Sequence, residues 1–251
     1  MCRWSRLLAI PFLDFAKFPD RGQVLDAGCG TGALTAEIVN RTKTVSFTGV
    51  DLAAAYIDFA ANTVRAPRAT FKAADLTELP YANASFDAVL SNLVLHFVPK
   101  VDAAISEMIR VAKPGAAIAA NVWDSRSGLV ASRMFLDTTA VIDPKANELR
   151  KQTGVRPLSR PGELTAAWQA ADLQEVHGTE LHTRMEFTSF DDYWAPYDSM
   201  DGPAAAYLRS TTPELRVRVK EAVRAAYLDG EADGFRSYTA TAFAVKGIKP
   251  G

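Results

Sequence analysis

Between residues 20 and 123, short apolar runs alternate with stretches of helical periodicity, and this alternation most narrows the folds open to the chain. Val24–Asp26 reads as a short strand and Thr31–Val39 as a helix opened by glycines. Val45–Val50 and Ala54–Val64 repeat the strand–helix pair. Ala69–Ala73 is a weaker strand, and Phe86–Ser91 a stronger one followed by a helix over Val101–Val111. Lys113-Pro114-Gly115 then turns the chain into an apolar strand ending near Val122. Such a rhythm predicts an α/β fold: a doubly wound, mostly parallel Rossmann-like sheet with right-handed crossovers. Ahead of it, Trp4, Leu7, Leu8, Phe12 and Phe15 are spaced as one face of a helix over residues 4–17.

Beyond Asp124 the pattern changes. Residues 125–170 and 189–229 read as mostly helical, punctuated by Pro144, Pro157, Pro161, Pro203 and Pro213. Glu175–Phe187 and Phe235–Lys246 read as long strands, fit to add an antiparallel pair to the sheet edge. The expected organisation is one domain over residues 1–251, with a core at 20–123 and helical insertions at 124–170 and 189–229 that cap the substrate.

Composition removes several classes of function. Apolar residues make up 48% and charged residues 23%, as in globular chains, and the formal charge of −1 is spread among interspersed acids and bases. Neither nucleic acid nor an anionic membrane surface is therefore expected as a partner. Cys2 and Cys29 cannot build a disulfide framework, which points to a reducing compartment. Pro11 and Asp14 interrupt the apolar N-terminal run, so it is not read as a signal peptide, and no uncharged stretch is long enough to span a bilayer. A cytoplasmic protein, monomer or homodimer, is the expectation.

The most informative segment is Val24-Leu-Asp-Ala-Gly-Cys-Gly-Thr-Gly-Ala-Leu34. Gly28, Gly30 and Gly32 permit a tight strand-to-helix turn that approaches a ligand closely, with free N–H groups expected to point at it. Asp51 ends the second strand, where a carboxylate can accept from both hydroxyls of a ribose. Asp75 follows the third strand, placed to accept from an adenine amino group; a helix N-cap is the plainer role open to either acid. Gly28, Gly30 and Ala33 also satisfy the relaxed dinucleotide pattern, so a nicotinamide-dependent oxidoreductase competes. Against it, Asp26 sits two residues before the first glycine, where a carboxylate suits an ammonium group and does nothing for a pyrophosphate. No tyrosine has a lysine four positions later, as one common hydride-transfer arrangement requires.

Residues 20–123 resemble the small-molecule branch of the class I S-adenosylmethionine-dependent methyltransferases, the methyltransferase-domain 11 family. The matching segments are Val24–Gly32, Gly49-Val-Asp51, Ala74-Asp75-Leu76, Ser85-Phe-Asp-Ala-Val-Leu-Ser91 and Lys113-Pro-Gly115. The resemblance implies a seven-stranded sheet with a reversed last strand and S-adenosylmethionine across its carboxyl edge, S-adenosylhomocysteine being the product. It implies that Asp26 and the loop Gly28, Cys29, Gly30 and Gly32 serve the methionine end, with Asp51 on the ribose and Leu52 packed on the adenine. Ala74, Asp75 and Leu76 would meet the adenine, the backbone at Ser91 the amino group, and Asn92 belongs to the same cofactor-binding set.

Displacement at a sulfonium releases a neutral thioether, so the donor side needs no acid, and a base is needed only for a protonated acceptor. No catalytic triad is present, as that chemistry leads one to expect. His96, just past the fourth strand, is the candidate base or substrate positioner; capping or packing a short helix is its alternative. His177 and His182 fall in an edge strand and read as structural. Phe187, Phe190, Tyr193, Trp194 and Tyr197 either wall an apolar pocket or form ordinary core, with core favoured. Ser91-Asn92-Leu93-Val94 lacks the double proline of nucleic-acid amino-methyltransferases, and neither cysteine follows a proline as a cytosine C5 nucleophile would. No metal site is expected, because no His, Cys or acidic cluster has ligand spacing. The favoured reading is methyl transfer to a small organic acceptor, with the oxidoreductase and a non-catalytic S-adenosylmethionine-binding module as alternatives.

Overall fold

In the computed structural model residues 2–199 and 202–251 are described. The side chain of Cys2, and Met200 and Asp201 within the expected helical stretch 189–229, lie outside the described residues. Strands β1 (Gly22–Ala27), β2 (Val45–Asp51), β3 (Ala69–Ala73), β4 (Phe86–Asn92) and β5 (Ala112–Trp123) pair in parallel. β7 (Arg236–Ile248) runs antiparallel to β5, with Ala117 opposite Ile248 and Trp123 opposite Ala242. With β6 (Gln174–Phe187) the sheet order is β3-β2-β1-β4-β5-β7-β6. The reversed strand and the edge pair expected from the sequence are both present.

Two compact units make up the chain: residues 1–123, 157–183 and 241–251, and residues 124–156 and 184–240. In the first unit the sheet carries helices on both faces, and the two-residue side-chain period of a strand explains how. Leu25, Val89 and Ile118 face one way, onto Ile105 and Met108 of α4 (Val101–Val111) and Leu164 and Trp168 of α7 (Glu163–Ala170). Their neighbours Val24, Ala88 and Ala119 face the other, onto Phe12 of α1 (Cys2–Ala16) and Leu34 and Ile38 of α2 (Ala33–Arg41). Each buried leucine or isoleucine contributes roughly 1.5–3 kcal/mol. Together they fix the central strands, and so hold the strand tips where a ligand would meet them. α7 falls in the first unit although the sequence placed it in the helical insertion, because Trp168 is fully buried and its indole N–H donates to the Ile118 carbonyl at 3.0 Å.

The Lys113-Pro114-Gly115 turn is a bulge inside β5. Phe86 pairs with Ala112 and Ala88 with Ala117, so the intervening residues of β5 loop out of register. Helix α2 starts at Ala33, later than expected, because Gly32 takes the N-cap position at φ +82°.

The second unit contains α5 (Val130–Ile142), α6 (Ala146–Gly154), α8 (Phe190–Ser199), α9 (Pro203–Ser210) and α10 (Pro213–Leu228). The aromatic residues from Phe187 to Tyr197 settle into core. Phe187, Phe190, Tyr193 and Trp194 are at most 5% exposed, Tyr193 donates to the Ala131 carbonyl at 2.8 Å, and Tyr197 stacks on Phe135 at 4.1 Å. No helix among the described residues is long and apolar enough to cross a membrane.

Candidate functional site

In a sheet of this order the strand order reverses between the parallel neighbours β1 and β4, and the crevice beyond their carboxyl ends is the natural ligand position. A cavity of about 670 Å³ opens there, which suits a nucleoside-sized ligand. Its wall begins with the glycine loop. Gly28 and Gly30 have φ of +81° and +53°, and a β-carbon on Gly28 would sit 2.4 Å from Val94 Cγ1. The N–H groups expected to be free are mostly spent inside the protein. Those of Gly28 and Cys29 donate to the Val50 carbonyl at 2.8 Å each, that of Gly30 to Asp51 Oδ2 at 2.9 Å, and that of Gly32 to the Cys29 carbonyl at 2.9 Å. The reason is the parallel register, which sets Ala27 beside Val50, so the turn folds back onto the tip of β2. A pyrophosphate seated on the amides of Gly28, Cys29, Gly30 or Gly32 would have to displace these bonds.

Asp51 joins the loop to β2: besides the Gly30 N–H it accepts from the Ala53 N–H at 3.0 Å. A carboxylate offers about four lone-pair directions, so capacity for two further donors remains. Asp75 is exposed and accepts from the Thr77 N–H and hydroxyl, both at 2.8 Å, which lower its pKa. Neither acid caps a helix, since Ala53 occupies the N-cap of α3 (Ala54–Thr63) and Asp75 caps only a turn.

Asp26 is the unusual group. It is 1% exposed and lines the cavity; its Oδ2 accepts from the Thr35 hydroxyl at 2.6 Å, and its buried Oδ1 has no hydrogen-bond partner. Burial pushes its pKa up to about 7, against the lowering effect of the Thr35 bonds, and the charge of Asp51 adds to the rise. A buried carboxylate oxygen in that state calls for a proton or a cation.

The sign of the resulting pH effect follows from linkage. Between about pH 4 and 7 folded Asp26 keeps a proton that the unfolded residue has lost, so rising pH favours unfolding across that window. Ligand-free protein is expected to lose on the order of a few kcal/mol of stability from pH 5 to pH 8 through this residue. Asp26→Asn should remove that component, which urea unfolding at the two pH values measures; parallel pH profiles for the two proteins would refute it.

Residues 24–115 match the family model described as a methyltransferase domain. The chain is 37% identical over 101 residues to a demethylmenaquinone methyltransferase of Roseiflexus sp. (strain RS-1), covering 40% of this chain and 42% of that one. It is 34% identical over 152 residues to an O-methyltransferase of Pyrenophora dematioidea, covering 56% and 57% of the two chains. The chain thus spans about half the length of these relatives. Phosphoethanolamine N-methyltransferase 2 of Haemonchus contortus, solved with S-adenosyl-L-methionine, superposes with a TM-score of 0.61 at 13% identity, over 97% of this chain and 52% of that one. Over residues 24–115 the chain is therefore similar to methyltransferase domains, and its fold is that of solved methyltransferases.

In this core the cavity wall brings together Asp26, Gly28, Cys29, Gly30, Asp51, Leu52, Asp75, Leu76 and Asn92 from the sequence-derived set. Leu52 is 73% exposed there. Gly32, Ala74 and Ser91 stand behind the wall. Gly32 packs on Ala60 and Val64, Ala74 donates its N–H to the Asp51 carbonyl at 3.0 Å, and the Ser91 hydroxyl donates to the Ala27 carbonyl at 2.9 Å.

His96 does not reach this cavity wall. It lies in the 3₁₀ turn Leu95–Phe97, 2% exposed and outside the cavity wall, with its ring 4.1 Å from that of Phe97. The tight turn carries Phe97 to the cavity and His96 inward. Cys29 does reach the wall, but burial raises its thiol pKa far above the usual range, so it is no nucleophile. Sequence reasoning missed Thr35, Ser5, Tyr56, Phe97 and Lys100. Thr35 had a signal, a hydroxyl in the first turn of the helix after Asp26; the others reach the wall only through tertiary packing.

Proposed function

We propose that this chain transfers a methyl group from S-adenosylmethionine to a small organic acceptor. The observation that carries the reading is the unpartnered, buried Oδ1 of Asp26 beside a loop whose amides are already used. That pairing suits a ligand with an ammonium group and no pyrophosphate, and so favours S-adenosylmethionine over a nicotinamide dinucleotide.

The residues fit the cofactor in parts. Asp26 would receive the ammonium, held ionised by that contact and oriented by Thr35. Asp51, with lone pairs to spare, would accept from the ribose hydroxyls. Leu52 and Leu76 would flank the adenine, and Asp75, oriented by Thr77, would accept from its amino group. When bound, S-adenosylmethionine supplies a methyl on a sulfonium, which an electron-rich acceptor atom takes in line, leaving S-adenosylhomocysteine. The chain's part is to align the partners and keep water out, which is where most of the acceleration of such a displacement arises. No side chain on the wall is assigned as a base.

A small acceptor is supported by the near-neutral charge and by relatives named for quinone and O-methylation. Thermal unfolding tests the cofactor: S-adenosylhomocysteine at about a hundredfold over its Kd should stabilise the protein by about 2.7 kcal/mol, and NAD should not. A shift with NAD alone would restore the oxidoreductase. Release of S-adenosylhomocysteine with quinol, phenol, carboxylate and amine acceptors tests transfer; binding without turnover on any of them would favour a non-catalytic module.

A further inference from the structure

The cavity has an electrostatic imbalance. Among the described residues its wall holds three carboxylates, Asp26, Asp51 and Asp75, and the single ammonium of Lys100, whose charge acts on Asp75. On the reading above, the ligand's amino-acid end also carries a carboxylate. The glycine-loop amides of Gly28, Cys29, Gly30 and Gly32 are spent on acceptors within the protein.

The tips of β4 and β5 supply a neutral donor whose polarity is fixed by the backbone. Leu93 sits in the left-handed region at φ +64°, and its N–H forks to the carbonyl and side-chain Oδ1 of Asn121, at 3.0 and 3.1 Å. A backbone N–H can only donate, so it sets which end of the fully buried Asn121 amide faces it. Asn121 must then offer its Nδ2 on the other side, where it donates to Asn92 Oδ1 at 2.8 Å. Asn92 is thereby oriented in turn. Its Nδ2 points away from Asn121, with one long bond of 3.4 Å to the Ser5 carbonyl on α1 and a second hydrogen to spare on the cavity wall. Because Asp26 pairs with Leu90, Asn92 lies two residues further along the strand beside Asp26. An ammonium and a carboxylate on one carbon need partners that are neighbours in this way.

We propose that Asn92, locked by Asn121, is the donor for the carboxylate at the amino-acid end of the bound nucleoside, and that Asn121 is a positioning residue. The inference rests on the function proposed above, and three probes separate the two. S-adenosylhomocysteine has both amine and carboxylate, its decarboxylated analogue keeps only the amine, and 5′-methylthioadenosine has neither.

By calorimetry the unaltered protein should prefer S-adenosylhomocysteine to the decarboxylated analogue by about tenfold or more, as a hydrogen bond to a charged group predicts. Asn92→Ala should erase that preference, weakening S-adenosylhomocysteine by about tenfold and leaving the other two probes within about twofold. Asn121→Asp should do the same by a different route. A carboxylate there still accepts from the Leu93 N–H but no longer donates to Asn92, whose amide turns and shows its oxygen to the cavity. Equal affinity of the unaltered protein for the first two probes, or an equal loss for all three in Asn92→Ala, would overturn the assignment. If the unaltered protein binds none of the three, the proposed function itself falls.

Discussion

Asp51→Ala is expected to weaken S-adenosylhomocysteine binding by about a hundredfold or more, from the worth of charged hydrogen bonds. Two losses add. The variant removes the acceptor for the Gly30 and Ala53 N–H groups, which tie the glycine loop and the start of α3 to the tip of β2. It also removes the acceptor proposed for the ribose hydroxyls. Hydrogen bonds to a charged group contribute about 1.5–3 kcal/mol each, so losing the ligand's share alone accounts for tenfold or more. The freed loop must then be re-ordered on binding, which adds to the loss. Asp51→Asn should fall between, because one oxygen remains to accept while the amide meets an N–H with an N–H. An unchanged dissociation constant in Asp51→Ala would remove this residue from the site and, with it, the link between loop and nucleoside.

The meeting of the glycine loop with Asp51 was legible in the sequence because each half has a local signature. Val24–Gly32 carries its turn in three glycines, and Asp51 ends an apolar strand, so a parallel sheet with aligned tips brings them together. The central strands were legible for a similar reason: β1 and β4 are buried on both faces over most of their length, and the short apolar stretches Val24-Leu25 and Ala88-Val89-Leu90 mark them. What could not be read depends on register and side-chain direction. Asn121 meets Asn92 only because β5 pairs with β4 residue for residue beyond its bulge. The loop amides turn out to be spent because the turn folds against the Val50 carbonyl, a contact no composition rule anticipates. His96 and Phe97 are adjacent in sequence, yet a tight 3₁₀ turn sends one inward and the other to the cavity. The aromatic residues from Phe187 to Tyr197 were ambiguous because a pocket wall and a core use the same side chains, and only burial separates them.

Gly28→Ala should be the more damaging of two superficially equivalent loop variants. At Gly28 the backbone is left-handed, which costs a residue with a β-carbon about 1–2 kcal/mol. The added carbon would lie 2.4 and 2.5 Å from the two methyls of Val94 and 2.8 Å from its β-carbon. Overpacking of that kind typically costs a further 1–3 kcal/mol, for a total of about 2–5 kcal/mol. The displacement also falls on the turn that presents Gly30 to Asp51, so nucleoside affinity should fall along with stability. Gly30→Ala has a similar backbone sign at φ +53° but nothing within 4 Å of its new carbon. It should therefore cost only about 1 kcal/mol, the conformational part. Adding Val94→Ala to Gly28→Ala removes the two methyl contacts and leaves the one to the β-carbon. The pair should recover part of the stability, by more than the two single effects predict. Urea unfolding of the four variants checks this, and equal losses for Gly28→Ala and Gly30→Ala would mean that Val94 does not press on the loop.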